Sequence, residues 1–331
     1  MAKNMKDVLS IDGKSTAEKI EEYIRRSVAE TRTNGIIMGI SGGVDSALLA
    51  VLAVRALGKE KVAAYFLHDR NSEKDSLDKA RIVSDWLGLK LNVESIDSAM
   101  REKEKEAAFF TWISSFPKAM LPFIASIYYI VVGETPYITV LRKNEIRRSA
   151  FKRFVYDHIM KGMEEMFDGP CRERRIFLEK IAKEKNLLLI GTGNKSEDLT
   201  GWFTPDGVDN MPYSPIKGLY KAQVRMLSEY LAVPKEILKR KPSADVLKGA
   251  DDTLALGMNF DKIDIILYGI ENNLLDEDIA KYGVTISEIS RMRRINKLSE
   301  WRRDPAMALM PADNRNPAPA KMESASAVAN Y

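Results

Sequence analysis

A glycine-rich segment between two apolar runs constrains the fold of this chain more than any other feature. Residues 35–40 suit a short buried strand, the loop Ser41-Gly-Gly-Val-Asp-Ser46 follows, and residues 47–54 favour a helix. In this order the loop presents backbone N–H groups at the positive end of a helix, where phosphate binds without a charged side chain. An ordinary turn at a helix start is the weaker alternative. The candidate phosphate-binding residues are Ser41, Gly42, Gly43 and Ser46.

Alternating strand and helix patterns continue on both sides of this loop. An amphipathic helix is predicted over residues 14–30, and residues 61–67, 76–87 and 90–96 predict a strand, a helix and a strand. After an irregular interruption, residues 186–190 predict another buried strand and residues 221–231 another helix. This spacing predicts an α/β fold with a parallel sheet.

A second loop, Gly191-Thr-Gly-Asn-Lys-Ser-Glu197, follows the later strand. In a parallel sheet both loops emerge at the carboxyl edge, where ligands bind. Asp45, in the first turn of the helix after the first loop, can hold magnesium against phosphates or merely complement the helix dipole. Glu197 adds a second carboxylate at the same edge, which favours the metal. We therefore predict that Asp45 and Glu197 bind Mg²⁺.

The composition excludes several other classes of protein. Lys and Arg number 51 against 47 Asp and Glu, and a formal charge of +4 is too weak to indicate nucleic-acid binding. Cys171 is the only cysteine, which excludes an intrachain disulfide, a cysteine zinc site and an iron–sulfur cluster. Residues 1–12 lack a secretory signal, and the uncharged run 119–133 is too short for a transmembrane helix. We expect a cytoplasmic enzyme.

The two loops together resemble those of a known family. The first resembles the phosphate loop of the N-type ATP pyrophosphatases, and the second narrows the resemblance to the ammonia-dependent NAD synthetases. Further similarity lies in Gly201-Trp-Phe-Thr204, in Gly207-Val-Asp209, in residues 215–224 and in Lys241-Pro-Ser-Ala-Asp245. The similarity covers residues 15–272 apart from the middle segment.

The resemblance implies a doubly wound parallel sheet of the adenine-nucleotide α-hydrolase type, with a helical middle insertion and a helical C-terminal part. It also implies that the nicotinate carboxylate of deamido-NAD attacks ATP, that pyrophosphate leaves, and that ammonia converts the adenylate to the amide. The loop lacks the Gly-Lys-Ser/Thr ending of loops that serve cleavage at the γ-phosphate, and this agrees with the release of pyrophosphate. Only about 35 residues precede the first predicted strand, so no glutaminase domain is expected and ammonia arrives free or from a separate partner. A homodimer is implied as well.

The resemblance also assigns roles to single residues. The phosphate-loop residues bind ATP, and Asp45 and Glu197 are catalytic through Mg²⁺. Thr192 lies beside ATP and shares the catalytic role, while Ser243 on a late loop closes over the phosphates. For Thr192 and Ser243, plain capping or turn hydroxyls are the alternative.

The substrate loop departs from the family pattern. Where the family has a lysine after Phe-Thr, this chain has Pro205. Proline cannot replace a cation beside phosphate, so either another lysine serves or the substrate differs; Lys195, Lys217 and Lys248 are the candidates. For Arg172, a solvated position on a basic helix is the alternative to substrate contact. The expected substrate-binding residues are Arg172, Lys195, Asp209 and Lys217.

We expect one domain over residues 1–310, with a divergent insertion at 101–170 and a disordered tail at 311–331. The insertion is rich in aromatic residues between 109 and 129. Burial at a dimer interface is the first interpretation. A pocket for a larger carboxylate and peripheral membrane contact are the alternatives.

Two other functions stay open at this point. A related adenylating enzyme, either an amide ligase for another acid or a sulfur transferase acting on RNA, fits the altered loop and the basic residues between 142 and 153. A non-catalytic nucleotide-binding protein fits less well, because Asp45 and Glu197 are both retained.

Overall fold

Four parallel strands form the sheet at the centre of the protein. They are β1 (Ile36–Gly39), β2 (Val62–His68), β3 (Leu91–Ser95) and β4 (Leu188–Leu189), in the spatial order β3-β2-β1-β4. The computed structural model describes residues 8–70, 72, 75–100, 128, 130, 132–142, 161–240, 256–303 and 307–308. All pairings within this sheet are parallel. The chain extends the sheet on one side of β1 and then returns to the other side, which confirms the predicted doubly wound α/β fold.

Strand β1 lies in the middle of the sheet. Ile36 pairs with Val62 of β2 and with Leu188 of β4. Ile36 and Met38 join one apolar cluster and Ile37 joins another, because successive side chains of a strand point to opposite faces. A continuous apolar run is what a strand covered on both faces requires.

Helices cover both faces of the sheet. In chain order they are α1 (Gly13–Thr31), α2 (Val44–Leu57), α3 (Ser76–Leu87), α4 (Pro136–Leu141), α5 (Lys161–Lys185), α6 (Lys195–Thr200), α7 (Lys221–Tyr230), α8 (Lys235–Leu238), α9 (Phe260–Glu271), α10 (Asp276–Ala280) and α11 (Ile286–Leu298). Lys59–Lys61 and Glu300–Arg302 form short 3₁₀ turns. Helices α1, α2 and α7 pack together on the face of Ile36, whereas α5 packs against β1 and β4 on the face of Ile37.

A second apolar cluster joins the C-terminal helices. Ile263 and Ile266 of α9, Ile279 of α10 and Met292 of α11 are fully buried together, and Tyr137 of α4 packs with them. This cluster is the predicted helical C-terminal part. Strands β5 (Tyr213–Ser214) and β6 (Met307–Ala308) form a small parallel pair. No helix within the described ranges is both long and apolar enough to cross a membrane.

The clearest differences from the sequence predictions concern strand β4 and the expected insertion. Strand β4 begins at Leu188 rather than at residue 186, because Asn186 adopts a left-handed conformation with φ +51°. Within the expected insertion 101–170, residues 136–141 form α4 and residues 161–170 begin α5, which continues through Pro170. The predicted tail 311–331 and the aromatic run up to residue 127 lie outside the described residues.

Candidate active site

The sheet topology brings the two predicted loops together. Strands β1 and β4 are parallel neighbours, so the loops after them leave the same edge of the sheet side by side. From β1 the chain adds β2 and β3 on one side of the sheet and later adds β4 on the other side. The strand order therefore reverses between β1 and β4, and α/β proteins bind ligands in the crevice at such a switch point. Helix α2 starts from the first loop and α6 from the second.

The phosphate loop is held in shape by its own hydroxyl groups. Ser46 Oγ donates to the carbonyl of Gly43 at 3.0 Å, and Ser41 N donates to Ser46 Oγ at 3.2 Å. Gly43 is the N-cap of α2 and has no side chain to cap the first N–H groups of the helix, which is the arrangement that lets a helix start bind phosphate. The loop therefore retains the features of a phosphate site.

Gly42 is required in this loop for two independent reasons. Its φ is +75°, a left-handed conformation that favours glycine. A Cβ at this position would lie 2.7 Å from Cβ of Lys79 and 3.0 Å from the carbonyl oxygen of Ser76 on α3. Gly42 thus allows α3 to pack directly on the loop.

Asp45 and Glu197 meet around one buried cation. Lys221 Nζ, from the first residue of α7, lies 2.6 Å from Asp45 Oδ2 and 3.2 Å from Glu197 Oε1. Lys221 is 3% exposed, and its ammonium also lies 5.3 Å from the centroid of the Phe260 ring. Two carboxylates thus converge on one ammonium group in the part of the chain that the structure describes.

Asn194 connects the two carboxylates. Its Nδ2 donates to Asp45 Oδ1 at 2.9 Å, and its Oδ1 accepts from Glu197 N at 3.0 Å. Glu197 Oε2 in turn accepts from Asn194 N at 3.2 Å, which completes a capping box at the start of α6. The second loop therefore fixes both carboxylates, and one oxygen of Glu197 remains directed at Lys221.

This donor set fits Mg²⁺ bound together with a substrate. Mg²⁺ is usually held by one or two carboxylates, with substrate phosphates and water as the other ligands. Asp45 and Glu197 supply two carboxylates beside the phosphate loop. Within the described ranges no group of three or more His, Cys, Asp or Glu residues is placed to hold a metal by itself.

The other predicted ATP contacts are only partly described. Thr192 is half-buried in the second loop between two glycines. Gly193 allows the second loop to lie close to the backbone of Asp209, since a Cβ at Gly193 would lie 2.3 Å from the carbonyl oxygen of Asp209. Ser243 and the candidate cation Lys248 lie outside the described residues.

Three of the four predicted substrate residues belong to or contact the divergent loop, residues 203–214. Asp209 Oδ2 accepts from Thr204 N at 3.1 Å, and burial raises the pKa of Asp209. Arg172 Nε lies 2.6 Å from Asp206 Oδ2 at the surface of that loop. Lys217 Nζ contacts Asn210 of the same loop at 3.0 Å.

The candidate lysines differ in their surroundings. Lys217 Nζ lies 2.9 Å from Asp198 Oδ1 and 5.7 Å from the Phe203 ring centroid. Lys195 Nζ lies 2.8 Å from Glu271 Oε2 and over the ring of Tyr220, on the side of α9. Of these two, Lys217 is the one that contacts the loop containing Pro205.

Sequence reasoning missed Lys221 and Asn194. Lys221 was recognisable only indirectly, because a lysine at the first position of a helix opposes the helix dipole and is uncommon there without a partner. Asn194 lies in the motif of the second loop, but its side chain is fully buried and acts on Asp45 from a distant part of the chain.

Fold and site together define an α/β nucleotide-binding protein. A family profile described as NAD synthase matches residues 16–113 and 143–306. An NH3-dependent NAD synthetase from Thermotoga neapolitana is 32% identical over 298 residues, covering 87% of this chain and 93% of the relative. Another from Coprothermobacter proteolyticus is 31% identical over 283 residues, covering 79% and 86%. The chain belongs to the NAD synthase family.

Solved structures agree on the fold. The NMN synthetase from Francisella tularensis superposes with a TM-score of 0.62 at 23% identity, covering 92% of this chain and all of that one. The NH3-dependent NAD synthetase from Campylobacter jejuni gives 0.57 at 23% identity, covering 88% and 96%. The family profile and the relatives at 31–32% identity confirm the predicted family and the expected class of ATP-dependent ligase. The unmatched residues 114–142 fall inside the expected insertion.

Proposed function

We propose that this enzyme converts deamido-NAD to NAD with ATP and ammonia, releasing AMP and pyrophosphate. The observation that carries the proposal is the meeting of Asp45 and Glu197 around Lys221 Nζ, directly beside the phosphate loop. Relatives called NH3-dependent NAD synthetase support it, since this chain spans most of their length.

In this proposal the triphosphate of ATP lies on the first turn of α2. The N–H groups of Val44 and the residues after it would face oxygens that gain negative charge as the bond to pyrophosphate breaks, while Gly43 N donates to Ser41 Oγ at 3.3 Å within the loop. Thr192 contacts ATP from the second loop, and the hydroxyl group of Ser243 contacts the phosphates from the late loop. Fixed donors of this kind stabilise a transition state because they need no reorganisation during the reaction.

We also propose that Asp45 and Glu197 hold Mg²⁺ against the triphosphate. Mg²⁺ held there would offset the negative charge of the phosphates, which would otherwise repel an attacking carboxylate. Lys221 already lies between the two carboxylates, so its ammonium is within side-chain reach of the same phosphates. Asn194 keeps Asp45 oriented through the hydrogen bond at 2.9 Å.

The carboxylate substrate is proposed to lie against the divergent loop. Arg172, Lys195, Asp209 and Lys217 remain the proposed binding residues, and Lys217 is the proposed replacement for the lysine absent at Pro205. Its contacts with Asn210 and Phe203 support this choice. Ammonia then attacks the adenylate carbonyl and AMP leaves, so the site must mainly exclude water.

A second candidate is an ammonia-dependent ligase for another carboxylate. Pro205 is the observation that favours it, because a lysine beside a phosphorylated substrate contributes on the order of 3 kcal/mol and proline restores none of it. The activation chemistry at Asp45 and Glu197 would be unchanged, and only the acceptor pocket would differ.

One assay separates the candidates. The purified enzyme is supplied with ATP, Mg²⁺ and ammonium, together with deamido-NAD, nicotinate mononucleotide or nicotinate, and NAD, AMP and pyrophosphate are quantified. The proposal expects equal amounts of all three products, dependent on deamido-NAD and ammonium. Formation of ADP and phosphate would contradict it, and ammonium-dependent pyrophosphate release with another acid alone would establish the second candidate.

We further propose that the enzyme is a cytoplasmic homodimer. The aromatic residues between 109 and 129 would supply the apolar surface that homodimers bury at their interface. Light scattering on the purified chain tests the dimer, and fractionation of cells tests the location.

A further inference from the structure

Helix α7 begins at a residue whose side chain does not cap it. The N-cap residue, Tyr220, lacks the short polar side chain that usually accepts from the first turn, and its hydroxyl group donates to Glu271 instead. The first N–H groups of a helix have no partner within the helix. Those of Lys221 and Ala222 must therefore be satisfied from elsewhere.

Two other helices supply the missing caps. Ser196 Oγ, from α6, accepts from Lys221 N at 2.8 Å. Asp264 Oδ2, from α9, accepts from Ala222 N at 2.7 Å. Ser196 Oγ also donates to Asp264 Oδ1, and both side chains are fully buried. One serine and one aspartate thus join the starts of α6 and α7 to α9.

This connection affects the candidate site, because the starts of α6 and α7 also carry Glu197 and Lys221, two of the charged groups of that site. Glu197 follows Ser196 directly in α6. The backbone N–H that donates to Ser196 Oγ is that of Lys221 itself. The distance of 3.2 Å between Lys221 Nζ and Glu197 Oε1 therefore depends on how α6 and α7 are held together.

We propose that Ser196 and Asp264 are positioning residues that hold the ammonium of Lys221 between Asp45 and Glu197. The proposal rests on the proposed function, in which this cluster acts on the triphosphate of ATP. A buried carboxylate is costly to desolvate, and apolar packing would join three helices at lower cost. Asp264 instead provides hydrogen bonds of fixed direction, which fix the relative position of the helices in a way that apolar packing cannot.

The test compares Ser196→Ala and Asp264→Asn with Ser228→Ala. Ser228 is a matched control, because it is a fully buried serine on α7 whose Oγ donates to the carbonyl of Val224 at 2.7 Å, away from the site. We expect kcat to fall about 10-fold or more in the first two variants, with KM changed by less than about 3-fold, as for other residues that orient a functional group. Ser228→Ala should keep the wild-type kcat.

A double-mutant cycle shows whether the effect passes through Lys221. In a Lys221→Gln background, Asp264→Asn should change kcat by less than about 2-fold, because residues in one network are not additive. An undiminished loss in that background, or equal losses in Ser196→Ala and Ser228→Ala, would overturn the proposal.

Crystal structures of Asp264→Asn and Ser228→Ala give a readout that does not depend on the reaction. We expect Lys221 Nζ to leave the position between the two carboxylates in Asp264→Asn and to stay there in Ser228→Ala. An unmoved ammonium in Asp264→Asn would reject the positioning role even if the enzyme forms NAD. A wild-type enzyme that forms no NAD would instead reject the proposed function and leave this structural comparison valid.

Discussion

Lys221 Nζ lies 2.6 Å from Asp45 Oδ2, although the two residues are 176 positions apart in the chain. The start of a helix is an unfavourable place for a cation, because the helix dipole is positive there. A buried ion pair also loses much of its attraction to desolvation. Local stability therefore gives little reason for a lysine at this position, and interaction with an anionic substrate gives a good one.

Replacing Asp45 by Asn, or Glu197 by Gln, is expected to lower kcat by about 100-fold or more, the scale of losing one group that stabilises developing charge. Either change keeps the shape of the side chain and removes a negative charge directed at a cation. Rates of NAD formation measure the effect, and circular dichroism checks the fold. Asp78→Asn is the control, since Asp78 also lies in the first helical turn after a loop but is 72% exposed. Near-native activity in either site variant would remove the metal assignment.

Replacing Lys221 by Gln should reduce kcat by at least about 100-fold and weaken binding of ATP. The change leaves Asp45 and Glu197 facing each other without the ammonium that now separates them. Lys262→Gln serves as control, because Lys262 forms a comparable pair with Glu288 at 2.6 Å on the far helices. Equal activity of the two variants would show that Lys221 has only a structural role.

The part of the site predicted from sequence is the part encoded by neighbouring residues. The phosphate loop follows from an apolar strand, two glycines and a helix former, which act over about a dozen positions. The helix predicted at 76–87 is α3 (Ser76–Leu87), because its apolar spacing and the following glycine are local signals as well.

The remaining part depends on contacts between distant segments. Lys221, Asn194 and Asp264 acquire their roles from partners on other elements, and no periodicity within their own segments predicts those partners. For the same reason the sequence could name Lys195, Lys217 and Lys248 as candidates for the replacement cation but could not choose among them. The fold distinguishes the two that the structure describes, because Lys217 contacts Asn210 of the divergent loop whereas Lys195 lies beside Glu271.

Replacing Gly42 by Ala is expected to weaken binding of ATP and to destabilise the fold by more than the left-handed backbone alone explains. That backbone costs about 1–2 kcal/mol for a residue with a Cβ. The added Cβ would also lie 2.7 Å from Cβ of Lys79, which forces the loop away from α3. Urea unfolding and calorimetry with a non-hydrolysable ATP analogue measure the two effects.

Gly88→Ala is the matched control for this prediction. Gly88 is left-handed, with φ +62° and ψ +33°, and a Cβ there would meet only the side chain of Lys59 at 3.7 Å, an ordinary van der Waals contact. It should show the backbone cost alone and bind the ATP analogue normally. If both variants bind ATP equally well, the shape of the phosphate loop is less important than proposed.

Replacing Lys217 by Ala should lower kcat/KM for the carboxylate substrate by about 10-fold or more and leave the KM for ATP nearly unchanged, because a cation near the substrate is lost. Asp198→Asn is the control, since it removes the partner of Lys217 at 2.9 Å but keeps the cation. Adding Pro205→Lys to Lys217→Ala should restore part of the loss. If Asp198→Asn is as damaging as Lys217→Ala, Lys217 is a packing residue and the cation lies elsewhere.

The stability of the protein should depend on pH through Asp264. Burial is the main cause that raises the pKa of Asp264 from 3.8 to about 7, against the lowering effects of Ser196, Ala222 and Lys221. Below about pH 4 the carboxyl group is protonated in both the folded and the unfolded chain, so it contributes no pH dependence. Between about pH 4 and 7 it is ionised only in the unfolded chain, so the free energy of unfolding falls as pH rises. Above about pH 7 both states are ionised and the contribution is constant.

Asp264→Asn removes this titration and isolates it from the other groups. The measurement is urea unfolding of the wild type and the variant at several pH values between about 5 and 8.5. Up to about pH 7 the free energy of unfolding of the wild type should fall relative to that of Asp264→Asn, by at most about 1.4 kcal/mol per pH unit. The difference should then level off. Since Asp261 raises the pKa of Asp264 and Lys221 lowers it, the Lys221→Gln background should extend the falling range to higher pH. A difference that does not change with pH would show that Asp264 stays ionised in the folded protein, held by the N–H and O–H groups that donate to it.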